Sequence, residues 1–140
     1  MTLIDSAELF YTVLSSDTGL TTLVGEQIYG PPGLPPDHVG LTSAVMFIGN
    51  GGDSNVNVPI GIEEFEVYCY GADAQVARAI YLAVLNALNR KKHRTYSVTG
   101  GTAIFQYAIK QTGPQDRVDP AEGWPFTYAS FELHFIELRQ

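Results

Sequence analysis

The sequence predicts an α+β fold: a largely antiparallel sheet with one long and one short helix packed on one face. Three stretches carry that expectation. The run Ile62-Glu63-Glu64-Phe65-Glu66-Val67-Tyr68-Cys69-Tyr70 alternates with the period of two expected of a strand, setting Phe65, Val67 and Cys69 on one side and Glu64, Glu66, Tyr68 and Tyr70 on the other. Asp73 through Leu88 then places Val76, Ala77, Ile80, Val84, Leu85 and Leu88 on one broad helical stripe, with Asp73 as N-cap. The closing stretch, Phe126 to Leu138, alternates again: Ala129, Phe131, Leu133 and Phe135 face one way, and Tyr128, Ser130, Glu132 and His134 the other.

Around these lie shorter elements. Leu9, Phe10, Val13 and Leu14 form the stripe of a short N-terminal helix, with Asp5 or Ser6 as cap and Glu8 at its positive end. Leu20 to Val24 can add a helical turn stopped by Gly25, and Gln27-Ile28-Tyr29 is extended. The segment Gly30 to Asp37 carries four of the eight prolines, which lack the amide hydrogens of a helix or central strand, so residues 30–41 read as a loop. Its Pro32 to Pro35 spacing fits a stiff surface loop better than a proline-rich ligand. Ser43 to Ile48 is an apolar strand, and Gly49 to Pro59 reads as a flexible hairpin tip. Thr95 to Val98 and Thr102 to Gln111 read as strands, and Gly113 to Pro125 as a second long loop.

A length of 140 residues and 45% hydrophobic content predict one folded domain over 1–140 with a core of two packed layers. One cysteine excludes an internal disulfide, and Met1 to Asp5 lacks the basic and apolar regions of a signal peptide. No membrane segment is expected either, which together predict a soluble cytoplasmic protein. The net charge of −7 argues against a protein that grips phosphate backbones.

That charge is unevenly distributed: every Lys and Arg lies at or after Arg78, whereas ten of the fifteen acids precede it. Two readings stand, chance within one domain or complementary acidic and basic faces on subunits that join head to tail. Arg90-Lys91-Lys92-His93-Arg94, after the long helix, likewise reads as helix-dipole complementation and solubility or as a contact patch for an acidic neighbour. No aromatic interleaves these charges as a nucleic-acid groove requires.

Catalytic and metal chemistry find no constellation. Glu64 and Glu66 have no histidine or lysine near them in sequence, His38, His93 and His134 are far apart, and Cys69 falls on an apolar face. Asp116, Asp119 and Glu122 lack calcium-loop spacing, and the Gly49 to Asp53 loop is followed by a strand, not by the Lys-Ser/Thr and helix of a phosphate loop. The expectation is a protein without catalytic residues, cofactor or metal.

Taken in order, Ala7-Glu8-Leu9-Phe10, the stretch Leu14 to Tyr29, the proline-rich segment, Phe65-Glu66-Val67-Tyr68-Cys69-Tyr70, the Ala-rich helix with Leu85-Asn86-Ala87-Leu88 and the closing aromatic strand resemble the tail-completion, or tail terminator, proteins of long-tailed bacteriophages. The resemblance covers nearly the whole chain as an ordered pattern. It implies a virion structural protein, assembled in the host cytoplasm, that forms a homo-oligomeric ring, usually a hexamer, at the head-proximal end of the tail tube. There it ends tube polymerisation and meets the tail tube protein on one side and a head-completion or connector protein on the other. DNA passes only in transit through the lumen, and no membrane is involved. Another neck or head–tail connector component is the near alternative, and a small α+β ligand-binding domain or enzyme the distant one. The uneven charge suggests the subunit contact: Glu64, Glu66, Tyr68 and Tyr70 at one end, and Arg90, Lys91, Lys92 and Arg94 at the other. Loops 30–41, 49–59 and 113–125 are the expected contacts to tube and connector.

Overall fold

The computed structural model describes residues 5–31, 33–36, 38, 41–54, 60–89, 94–99 and 101–139. Among these, three helices and six strands run in the order α1 (Ser6–Ser15), α2 (Thr18–Val24), β1 (Ile28–Tyr29), β2 (Ala44–Ser54), β3 (Ile60–Tyr70), α3 (Ala74–Asn89), β4 (Arg94–Val98), β5 (Gly101–Val118) and β6 (Pro125–Arg139). The strands form one sheet in the order β1-β2-β3-β6-β5-β4, antiparallel throughout except where β1 pairs with β2. The fold is α+β, as the alternating and helical periodicities predict.

Each helix starts on an aspartate whose carboxylate takes up an otherwise unpaired amide. Asp5 accepts from Ala7 N at 3.0 Å, Asp17 from Leu20 N at 3.0 Å and Asp73 from Val76 N at 2.9 Å. The Asp17 cap turns the expected single turn after Gly19 into a separate helix, α2, which buries Leu20 and Val24. Three helices therefore stand where two were expected. On α3 the buried stripe is Ala77, Ile80, Tyr81, Val84, Ala87 and Leu88; Tyr81 enters the core, and Val76 and Leu85 stay at its margin.

Two expected loops, 49–59 and 113–125, are strand in their first part; residues 55–59 lie outside the described residues. Gly49 to Ser54 continues β2, because ladder hydrogen bonds to β3 need no side chains; a register shift between Gly49 and Gly52, with Gly51 at φ 96°, absorbs the glycines as a bulge. Gly113 to Val118 continues β5 along β6, with register shifts between Lys110 and Thr112 and between Thr112 and Gln115. Pro114 falls inside the second irregularity, where a missing amide costs least. The connection shrinks to residues 119–124, closed by Asp119, whose carboxylate accepts from Ala121 N at 2.8 Å and Glu122 N at 2.9 Å.

The core lies where the apolar helical stripes meet one set of alternating strand residues. Val45 and Phe47 of β2, Phe65, Val67 and Cys69 of β3, and Ala129, Phe131, Leu133 and Phe135 of β6 join Leu9, Phe10, Leu20, Ile80, Val84 and Leu88 in one cluster. Phe10 anchors it, stacked on Phe65 at 4.5 Å and edge-on to Phe47 at 4.9 Å. Gly61 sits opposite Phe135 on the β3–β6 ladder; a Cβ there would lie 2.3 Å from the Phe135 ring, so only glycine lets that ring settle.

Candidate functional site

The alternating residues that do not enter the core form the opposite face of the sheet. Cross-strand pairing sets them in rows: Ala44, Tyr70, Phe126 and Arg117; Met46, Tyr68, Tyr128 and Gln115; Ile48, Glu66, Ser130 and Thr112; Glu64, Glu132 and Ile109; Ile62, His134 and Tyr107. Most are half-buried, as expected of side chains that shield one another on a sheet face.

One end of this face is aromatic. Tyr68 lies 5.6 Å from Phe126 and 5.3 Å from Tyr128, and Tyr70 packs 5.4 Å from Phe126 and 6.4 Å from Trp124. Trp124 in turn meets His38, which meets Tyr29, so the belt ties the 30–41 connection and the 119–124 turn to the sheet. The Arg117 guanidinium stands 5.4 Å over the Tyr128 ring and donates to Gln115 Oε1. Tyr128 donates its hydroxyl to Glu66 Oε1 at 2.7 Å. Burial, followed by that hydrogen bond and the negative charge of Glu66, pushes the Tyr128 phenol up to about 12. Burial does most of the same for Tyr70, also raised to about 12, with Asp119 adding to it.

The other end is acidic. Glu64 and Glu132 stand directly opposite each other on the β3–β6 ladder. Glu132 is engaged by its neighbours: its Oε1 lies 2.6 Å from His134 Nε2, and its Oε2 accepts from Gln111 Nε2 at 2.9 Å. Tyr107 stacks on His134 at 4.4 Å. Gln111, Glu132 and His134 are thus held by side chains of the same sheet, which suits a preformed surface.

The expected contact residues divide accordingly. Glu64, Glu66, Tyr68 and Tyr70 share the open face of β3, in the middle of the sheet, and Tyr70 is buried rather than exposed because Trp124 and Phe126 close over it. Arg94 begins β4, the far edge strand, and is exposed. It stands three strands away from β3, so Arg94 does not meet Glu64 or Glu66 within one chain. Arg90, Lys91 and Lys92 lie outside the described residues. Trp124 and Arg117, which the sequence places in a loop over 113–125, join Phe126 of the closing strand on this face; the density of aromatics in Trp124-Pro125-Phe126-Thr127-Tyr128 was the available signal.

Beside the face, a cleft of about 570 Å³ is lined by Val24, Gly25, Glu26, Gln27, Tyr29, Pro35, His38 and Thr42. It is open, with Glu26 and His38 among its lining residues. Cys69 is fully buried, and burial pushes its thiol far up, which makes it a core residue rather than a nucleophile. Among the described residues no three His, Cys, Asp or Glu side chains cluster as metal ligands, and no helix is long and apolar enough to cross a membrane.

No protein-family model and no curated protein matches the sequence. The fold is similar to that of a chain in the solved structure of the virion of a native gene transfer agent particle. The match has a TM-score of 0.61 at 17% identity and covers 91% of this chain and 92% of that one. A likeness at that identity is one of fold, and it runs from end to end in both chains.

Proposed function

We propose that this chain is a structural protein of a phage-like virion, forming a homo-oligomeric ring, a hexamer, at the head-proximal end of a tail tube. There it ends tube growth and presents a docking surface to the head connector. The observation that carries the reading is the end-to-end likeness of fold to a chain of a gene transfer agent virion, with no large part of either chain left over. The reading assigns no catalytic role. The sheet face supports it, for a broad surface of tyrosines and carboxylates is suited to protein contact, and aromatic residues are favoured at such interfaces.

In this reading Glu64, Glu66, Tyr68 and Tyr70 belong to one side of the subunit contact, and Arg94 with the preceding Arg90, Lys91 and Lys92 to the other. Acids facing the lumen repel the phosphate backbone, so DNA passes without adhering. The partners are the tail tube protein, a connector protein and further copies of the chain.

Mass measurement at rising concentration, combined with electron microscopy, tests the ring. The expected result is a closed ring that binds one end of isolated tail tubes. A chain that remains monomeric at high concentration and binds no tube end overturns the proposal. Binding to DNA-filled heads in preference to tubes would instead assign the ring to the neck.

A further inference from the structure

The sheet has two unfinished edges. On one side β1 covers only Val45 and Met46 of β2, leaving Ile48 to Ser54 without a neighbouring strand among the described residues. On the other, β4 covers Gly101 to Phe105 of β5, leaving Gln106 to Val118 open among the described residues. Each open stretch presents a row of backbone amides and carbonyls that pair only on their inner side, an arrangement that invites another strand. Three of the exposed large apolar side chains, Tyr107 at 42%, Ile109 at 45% and Val118 at 62%, lie on the open part of β5.

We infer that consecutive copies of this chain join edge to edge, the open part of β5 in one copy pairing with the open part of β2 in the next, so that the sheet continues from subunit to subunit. This rests on the ring reading and names its interface. Four observations favour a second copy as the occupant.

The first is strand polarity. Along the order β2, β3, β6, β5 every pair is antiparallel, so β5 runs opposite to β2. Copies repeated with the same orientation therefore bring β5 against the next β2 antiparallel, and the alternation is unbroken. The second is that the two edges differ and lie on opposite sides of the sheet, the heterologous arrangement that can close a ring.

Charge is the third. No Lys or Arg precedes Arg78, so an arriving β2 and its neighbour β3 bring only acids. The receiving edge is bordered by Arg94, opposite Phe105 where the open stretch begins, and by the exposed Lys110 and Arg117; its one acid, Asp116, is already paired with Arg78 at 2.9 Å. Glu64 and Glu66 stand one strand in from the β2 edge, on the face that Arg117 shares; Arg94 and Lys110 pair with Phe105 and Phe131 and so stand on the core side of the sheet. Edge pairing thus sets an edge whose charges are all acidic beside one that is mainly basic. Steric room is the fourth: a Cβ added at Gly49, on the open part of β2, would find nothing within 4 Å, so no neighbour inside the chain requires glycine there. Besides serving the bulge between Gly49 and Gly52, that open space leaves room for another backbone to approach.

Because Cys69 is buried, new surface thiols can be read without background. Ile48→Cys and Ile109→Cys place one thiol on each edge, both on the open face of the sheet. The assembled full-length chain, treated with a short bis-maleimide, is expected to give a ladder of covalent multimers when both substitutions are in one chain. Each single variant alone should give none, and a mixture of the two single variants should give dimers only. Leu82→Cys, exposed on α3 away from both edges, paired with Ile109→Cys is the control that gives no ladder. Dimers from Ile109→Cys alone would mean that β5 pairs with β5 and would overturn the inference. Assemblies that form but do not cross-link across Ile48 and Ile109 would overturn it and leave the ring standing. Absence of any assembly would remove the ring and this interface together.

Discussion

Tyr128 and Glu66 tie β6 to β3 through a hydroxyl–carboxylate hydrogen bond of 2.7 Å on a face that stays partly wet. The phenol is neutral at physiological pH and raised to about 12, so the folded state holds its proton where the unfolded chain, near 10, has begun to lose it. The sign follows. Stability contributed by the neutral phenol is complete below 10 and is lost as the pH climbs from 10 toward 12. Near-ultraviolet absorbance of phenolate should therefore show a group of tyrosines titrating well above 10. Glu66→Gln should bring Tyr128 and Tyr68 down, because the Glu66 charge raises both, yet not fully to 10, since burial is the larger cause in each. Titration curves of the two proteins that coincide would show that Glu66 has no such influence. At this scale the sequence was partly legible. Alternation placed Glu66, Tyr68 and Tyr128 on outward faces, but a bond between residues 66 and 128 depends on which strands are neighbours, and periodicity contains nothing about that.

Strand pairing between β3 and β6 is the central contact of the sheet, and it depends on a close approach. Phe135 lies over Gly61, where any side chain would overlap its ring. Gly61→Ala should lower stability by about 1–3 kcal/mol, the usual range for overpacking in a core. Chemical denaturation of Gly61→Ala, Phe135→Leu and the double variant tests the cause. The double variant is expected to lose less than the two single losses combined, because the smaller side chain vacates the space the methyl enters. Strict additivity would mean that the alanine acts by another route. The elements themselves were legible wherever side chains carry the pattern: α1, β3, α3 and β6 all have an apolar stripe or alternation. The far halves of β2 and β5 were not, because Gly49-Asn50-Gly51-Gly52 and Gly113-Pro114 carry the composition of turns. Both stretches are held by backbone bonds to a long partner strand, and bulges absorb their misfit.

For the molecule as a whole, charge is the property that one chain leaves unresolved. Glu64 on the β3 face and Arg94 on β4 are separated by β6 and β5, so any attraction between them acts between copies. Reversing either charge, Glu64→Lys or Arg94→Glu, should weaken association and leave the circular dichroism of the monomer unchanged. Combining the two reversals should recover part of the loss. Sedimentation at several salt concentrations reads the effect, which should shrink as screening shortens to about 3 Å at molar salt. Association equal to that of the unaltered chain across the salt series would exclude these residues from the contact. The uneven charge itself was visible from the sequence, as was the division of β3 into an apolar and a polar face.

Local periodicity, and which residues avoid water, suffice for the class of fold, the aspartate caps of α1 and α3 and the face of each main strand. Tertiary structure decided the strand order, the extension of β2 and β5 through glycine-rich segments, and the gathering of Trp124, Phe126, Arg117 and Tyr128 beside the acids of β3. These are contacts between residues distant in sequence, and they arise when the ladder partner of each strand is chosen by how all the apolar faces are buried at once.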